Sequence, residues 1–186
     1  MNSRSHRNLR ALCEGAIMVA AAQVLGYIKL FSLPNGGSIT LSLLPVFIYC
    51  ARWGFGYGML VSFALSLLQL LLDGAHAIAW QSLLGDYILA YSVVGIAGLF
   101  RAKNNGLYLG TLAGSAARFI VAWITGATVW GEYMPESFFG LTMTSPWFYS
   151  ALYNGSYIFI SILLCLAVET VLNRPLGRFI RGEDLS

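Results

Sequence analysis

Charged side chains are scarce in this sequence. Its 186 residues include 11 lysines and arginines and 8 aspartates and glutamates, so 10% of the chain is charged, against about 25% in a soluble domain. With 58% apolar residues and a mean hydropathy of +0.70, the composition excludes an ordinary soluble fold. Only 3 cysteines are present. Cys13, Cys50 and Cys165 lie far apart in apolar stretches, with no CxxC pair, so neither a disulfide framework nor a zinc site is supported and they read as small buried hydrophobes. No GxxxxGK[ST] phosphate loop occurs, which excludes the chain from being an ATPase itself. HExxH, GxSxG and carboxylate-rich metal motifs are missing too, so no enzyme, cofactor or metal is expected. The net charge of +3 does not point to nucleic acid, because in a membrane protein the placement of charge matters more than its sum.

What the chain has in abundance is long apolar runs, near 10–31, 39–52, 55–72, 81–100, 106–130 and 147–172. A membrane helix needs roughly 20 apolar residues. The second run is short and follows Pro34-Asn35-Gly36-Gly37, so it is the weakest span and needs cover from its neighbours. The arginine-rich start resembles a signal peptide, but no small-residue cleavage site follows, and it reads as a retained first helix. Arg4, Arg7, Arg10, Arg52, Arg101, Lys103, Arg174, Arg178 and Arg181 fall on one side of the resulting six-span arrangement, whereas the other side holds only Lys29. The positive-inside rule therefore predicts an all-α membrane protein of six transmembrane helices, a single domain over 1–186, with both termini cytoplasmic. Arg52 and Arg101 read as topology determinants.

One acid breaks the apolar pattern. Asp86 lies in Leu83-Leu84-Gly85-Asp86-Tyr87, with no further charge before Arg101, and an intramembrane acid marks a function or a buried partner. On the predicted topology it shares the outer half of the membrane with two clusters. In span five Arg118, Ala122, Gly126 and Trp130 recur every four residues along one face. Span six opens with Tyr149, Ser150, Tyr153, Asn154 and Tyr157. Aromatic faces, phenols, an amide and a carboxylate suit a flat cationic heteroaromatic solute. Simpler roles exist for each group: Asp86 and Arg118 as a neutralising pair, Trp130, Trp147 and Tyr149 as an interfacial belt, Asn154 as an interhelical donor, and His76 as a solvated loop residue. In span one, small residues four apart allow close approach of another helix, either a partner's or a neighbouring span.

These strings together resemble the thiamine-specific substrate-binding subunit (S component) of bacterial energy-coupling factor (ECF) transporters. The resemblance runs through Ala16-Ile17-Met18, Pro34-Asn35-Gly36-Gly37-Ser38, Arg52-Trp53-Gly54, Asp86-Tyr87-Ile88, Gly95-Ile96-Ala97-Gly98, Arg118-Phe119 with Gly126, and Tyr149-Ser150 with Tyr153-Asn154. It implies a bacterial cell-membrane protein that captures thiamine outside and works with a transmembrane coupling subunit and two ATPase subunits supplied by other chains. It also implies that Asp86, with Tyr87 beside it, contacts the ligand in a cavity formed with Arg118 and Gly126, that Trp130 stacks on a ring, and that Tyr149 and Asn154 bond the aminopyrimidine. Ala16 and Ala20 match the small-residue motif that docks on the coupling subunit, and the loop between the first two spans covers the ligand. One departure stands out: members of the family it resembles usually carry a histidine where this chain has Ala122. Losing one hydrogen bond costs about 0.5–1.5 kcal/mol, which leaves a thiamine precursor or related heterocycle as an alternative ligand. A non-transport membrane interaction module is the reading from a different class.

Overall fold

The computed structural model describes residues 3–73, 77 and 79–185; His76 lies outside the described residues. Among the described residues six main helices follow one another: α1 (Ser3–Tyr27), α2 (Leu44–Trp53), α3 (Phe55–Asp73), α4 (Trp80–Phe100), α5 (Gly106–Thr128) and α6 (Pro146–Ile180). Two short antiparallel hairpins interrupt them. β1 (Phe31–Ser32) pairs with β2 (Ser38–Ile39) between α1 and α2, and β3 (Ser137–Phe138) pairs with β4 (Leu141–Thr142) between α5 and α6.

Five of the helices, all but α2, are long and apolar enough to cross a membrane. The expected second span is where structure and sequence diverge. Its helix has 10 residues, about 15 Å at 1.5 Å per residue, or half a hydrocarbon core. Pro45 sits in its first turn and Gly54, at φ 82°, ends it, in keeping with the preference for proline at the start and glycine at the end of a helix. Nearly every α2 side chain is buried, and Val46 and Phe47 form the middle of the core with Leu65, Val94 and Ala97. Neighbouring helices thus shield a segment too short to face lipid alone. At the other extreme, α6 continues well past the apolar run that ended at 172. It starts sharply, because the Ser145 hydroxyl accepts the Phe148 N–H at 3.2 Å with Pro146 in the first turn, an N-cap with its usual proline.

Two polar ties fix the bundle away from the hairpins. Arg52 is fully buried. Its Nε donates to Glu14 at 2.7 Å, while Nη1 donates to the Phe179 carbonyl and to Asp184, both at 2.6 Å. The guanidinium also lies 3.8 Å from the centroid of the Phe179 ring. Arg52 is therefore the hub that joins the middle of α1, the end of α2 and the C-terminal turn, a role beyond marking topology. Deeper in the bundle, the Thr111 hydroxyl of α5 donates to the buried Glu169 of α6, so an intramembrane acid is held by a neutral partner rather than a cation.

Candidate functional site

A cavity of about 160 Å³ opens at the end of the bundle opposite Arg52, beside the β1–β2 hairpin. α4 supplies its acid. This helix widens into π turns over Leu83–Leu89, where the Ala90 N–H reaches back to the Gly85 carbonyl. Such widened turns recur at functional positions because they re-aim side chains. Asp86 is held here by two donors on one oxygen: Ser82 Oγ at 2.8 Å and Trp130 Nε1 at 2.9 Å, both to Oδ2. The cavity thus has a fixed carboxylate whose Oδ1 carries no protein donor among the described residues.

The opposite wall comes from α5 and α6. Gly126 is required there, since a Cβ at that position would fall 2.3 Å from Ser150 Oγ and 3.0 Å from Asn154 Nδ2. With the helices in contact, Asn154 Nδ2 donates to the Ala122 carbonyl at 3.2 Å and Ser150 Oγ to the Trp123 carbonyl at 2.7 Å. Tyr157 donates to Asn154 Oδ1 at 2.9 Å. Asn154 is therefore an interhelical tie as well as a wall of the cavity. Tyr149 is buried at the rim, with the Phe138 ring edge-on at 5.5 Å.

Each residue expected to bind ligand lines this one cavity: Asp86, Tyr87, Arg118, Gly126, Trp130, Tyr149 and Asn154. Tyr87 also donates to the Asp73 carbonyl at 2.7 Å. Among the described residues no ion pair joins Asp86 to Arg118. Arg118 instead places its guanidinium 4.4 Å from the centroid of the Tyr91 ring, and its Nε has no hydrogen-bond partner. The indole of Trp130 is turned inward to Asp86, whereas Trp147 is half exposed and stacks edge-on with Trp123. Trp123 points away, as helix geometry predicts, and Ala122 lines the cavity with nothing bulkier in its place. Ala16 and Ala20 do not line this cavity and are exposed on α1.

Sequence reading did not single out Ser82, Tyr91 or Gln69, all of which line the cavity. Ser82 was within reach, being one turn before Asp86. Tyr91 was not, since five residues on an ideal α-helix turn a side chain about 140° away, and only the π turns bring it round. Glu14 was passed over because its pairing with Arg52, 38 positions away, depends on the tertiary fold.

A sequence profile described as "Thiamine transporter protein" matches residues 12–180. The chain belongs to this thiamine transporter family. Among its relatives, the thiamine transporter ThiT of Bacillus subtilis is 29% identical over 192 residues, covering 95% of this chain and 97% of the relative. The protein of the same name from Lacticaseibacillus paracasei is 27% identical over 188 residues, covering 91% and 89%. The solved structure of ThiT from Listeria monocytogenes superposes with a TM-score of 0.81 at 23% identity, covering 93% of this chain and 98% of that one. The chain therefore shares the fold of that structure over most of its length. This family membership makes the protein a multi-pass membrane transporter component rather than an enzyme.

Proposed function

We propose that this protein captures thiamine as the S component of an ECF-type vitamin transporter. The observation that carries the reading is Asp86. A carboxylate fixed through Oδ2, with Oδ1 left open beside the Trp130 ring, offers a cationic heterocycle both an anionic acceptor and an aromatic face. Tyr149, Asn154 and Tyr87 add polar groups around it, Gly126 leaves room for a flat ring, and Arg118 bounds the inner end. The chain crosses the membrane six times, α2 and the extended residues before it making the second crossing. Both termini are cytoplasmic: Arg10, Arg52 and Arg181 gather at the end opposite the cavity, which positive-inside sorting places in the cytoplasm.

Ala16 and Ala20 form the docking face. They are exposed on α1 beside Ile17 and Val24, and small residues at this spacing admit another helix at close range. The coupling subunit docks there, and two ATPase subunits supply the energy for delivery. A binding screen of purified protein against thiamine, its phosphates and its pyrimidine and thiazole precursors tests the ligand. Saturable binding of thiamine tighter than of either precursor is the expected result, and a preference for a precursor would reassign it.

One observation favours that second reading. Ala122 leaves unfilled the position where a histidine is the family's usual residue, so a precursor or related heterocycle has a case. Ala122→His separates the two. For a thiamine site, thiamine affinity rises by roughly one hydrogen bond, about 2- to 10-fold. No gain, or a loss, argues for a different heterocycle.

A further inference from the structure

We infer that Tyr153 is a positioning residue that sets how long the ligand stays bound, by tying the loop between α1 and α2 down over the cavity. This rests on the reading of the cavity as the ligand site. The Tyr153 hydroxyl makes two contacts with that loop: it donates to the Pro34 carbonyl and accepts the Gly37 N–H at 2.9 Å. Its partners sit at the tip of the β1–β2 hairpin, whose strands pair at only Phe31 with Ile39 and Ser32 with Ser38. A ladder this short has little stability of its own, so the loop's position depends on what the tip touches.

The ring of Tyr153 is held independently of its hydroxyl. Tyr149 lies at 5.7 Å, Phe138 at 5.8 Å and Tyr157 at 5.9 Å between ring centroids. These contacts come from α6 itself and from the β3–β4 hairpin, so the hydroxyl is presented to the loop from a fixed platform. The loop is shaped to meet it. A Cβ on Gly37 would come 2.8 Å from the Tyr153 hydroxyl oxygen and 3.0 Å from Tyr157 Cδ1, and only glycine lets the backbone settle on both rings. One side chain therefore touches both hairpins at the cavity mouth, and ligand cannot leave past the α1–α2 loop while that tie holds.

Two variants approach the tie from opposite sides. Tyr153→Phe removes the hydroxyl and keeps the ring on its platform; Gly37→Ala keeps the hydroxyl and wedges the loop away. Stopped-flow tryptophan quenching with thiamine is expected to give dissociation about tenfold faster in each, the worth of one or two net hydrogen bonds, with association unchanged or faster. Hydrogen–deuterium exchange over 31–39 is expected to accelerate in both variants without ligand, while the helices keep their protection. An unchanged dissociation rate in Tyr153→Phe overturns the inference. So does slower association in proportion, which would mean that Tyr153 only shapes the cavity. If the wild type binds no thiamine at all, the thiamine reading fails by itself. The exchange experiment still decides the tie, with unaltered exchange at 31–39 refuting it.

Discussion

Replacing Asp86 with asparagine separates the charge of this acid from its shape, and the structure predicts opposite effects on binding and on folding. Asparagine fills nearly the same volume and can keep an oxygen where Ser82 Oγ and Trp130 Nε1 now donate at 2.8 and 2.9 Å. Its NH₂ group then occupies the place of Oδ1. A ligand amine that donated to a carboxylate oxygen meets a donor instead, and the charge attraction is gone. A hydrogen bond to a charged group is worth about 1.5–3 kcal/mol, which at 1.4 kcal/mol per decade weakens binding roughly 10- to 150-fold. The ligand-free protein should not suffer. A buried charge with no direct ion-pair partner carries a desolvation cost that a neutral amide avoids, so the apo Tm is expected to hold or rise. Isothermal calorimetry with thiamine gives the first quantity and thermal unfolding in detergent the second. A Kd within threefold of wild type would refute the direct role of the carboxylate. A lower apo Tm would show that the acid is a structural element and that any lost affinity is secondary.

Gly126→Ala is expected to destabilise the protein by about 1–3 kcal/mol through overpacking, since the new Cβ lies 2.3 Å from Ser150 Oγ; an unchanged Tm together with unchanged thiamine affinity would contradict the close contact of α5 and α6. Arg52→Gln removes the buried one of the two arginines that Glu14 and Asp184 share, leaving them to Arg10; with hydrogen bonds to charged groups worth about 1.5–3 kcal/mol it is expected to lower the Tm, a neutral result disproving the hub. Ala16→Phe combined with Ala20→Phe is expected to abolish uptake by cells while purified protein keeps its affinity. If uptake survives, the coupling subunit docks elsewhere.

How much of this was legible in the sequence depended on which force set each feature. Hydropathy located α3, α4 and α5 to within about two residues, because burial in lipid requires an unbroken apolar run. It misjudged α6, where the last turns carry Arg174 and Arg178 and pass through Pro175: a helix needs backbone hydrogen bonds, not apolarity, once it leaves the bilayer. It overestimated α2, whose length is limited by hairpin residues upstream and whose stability comes from neighbours. The binding residues were visible as rare polar and aromatic groups on apolar helices. The bonding that assigns Trp130 to Asp86 and Asn154 to the α5 backbone was not, since those partners lie 44 and 32 positions away.

By itself, the sequence determined that this chain lives in a membrane, which end of it carries the positive charge, and which side chains are too costly in lipid to lack a partner or a task. Those properties follow from composition and local order, which act before any helix meets another. Only the tertiary structure decided that Asp86 meets Trp130 rather than Arg118, that π turns bring Tyr91 to the site, and that Tyr153 reaches the loop between α1 and α2. Such pairings depend on helix rotation and depth, which are set by contacts such as Gly126 against Ser150 and have no counterpart in the linear order of residues.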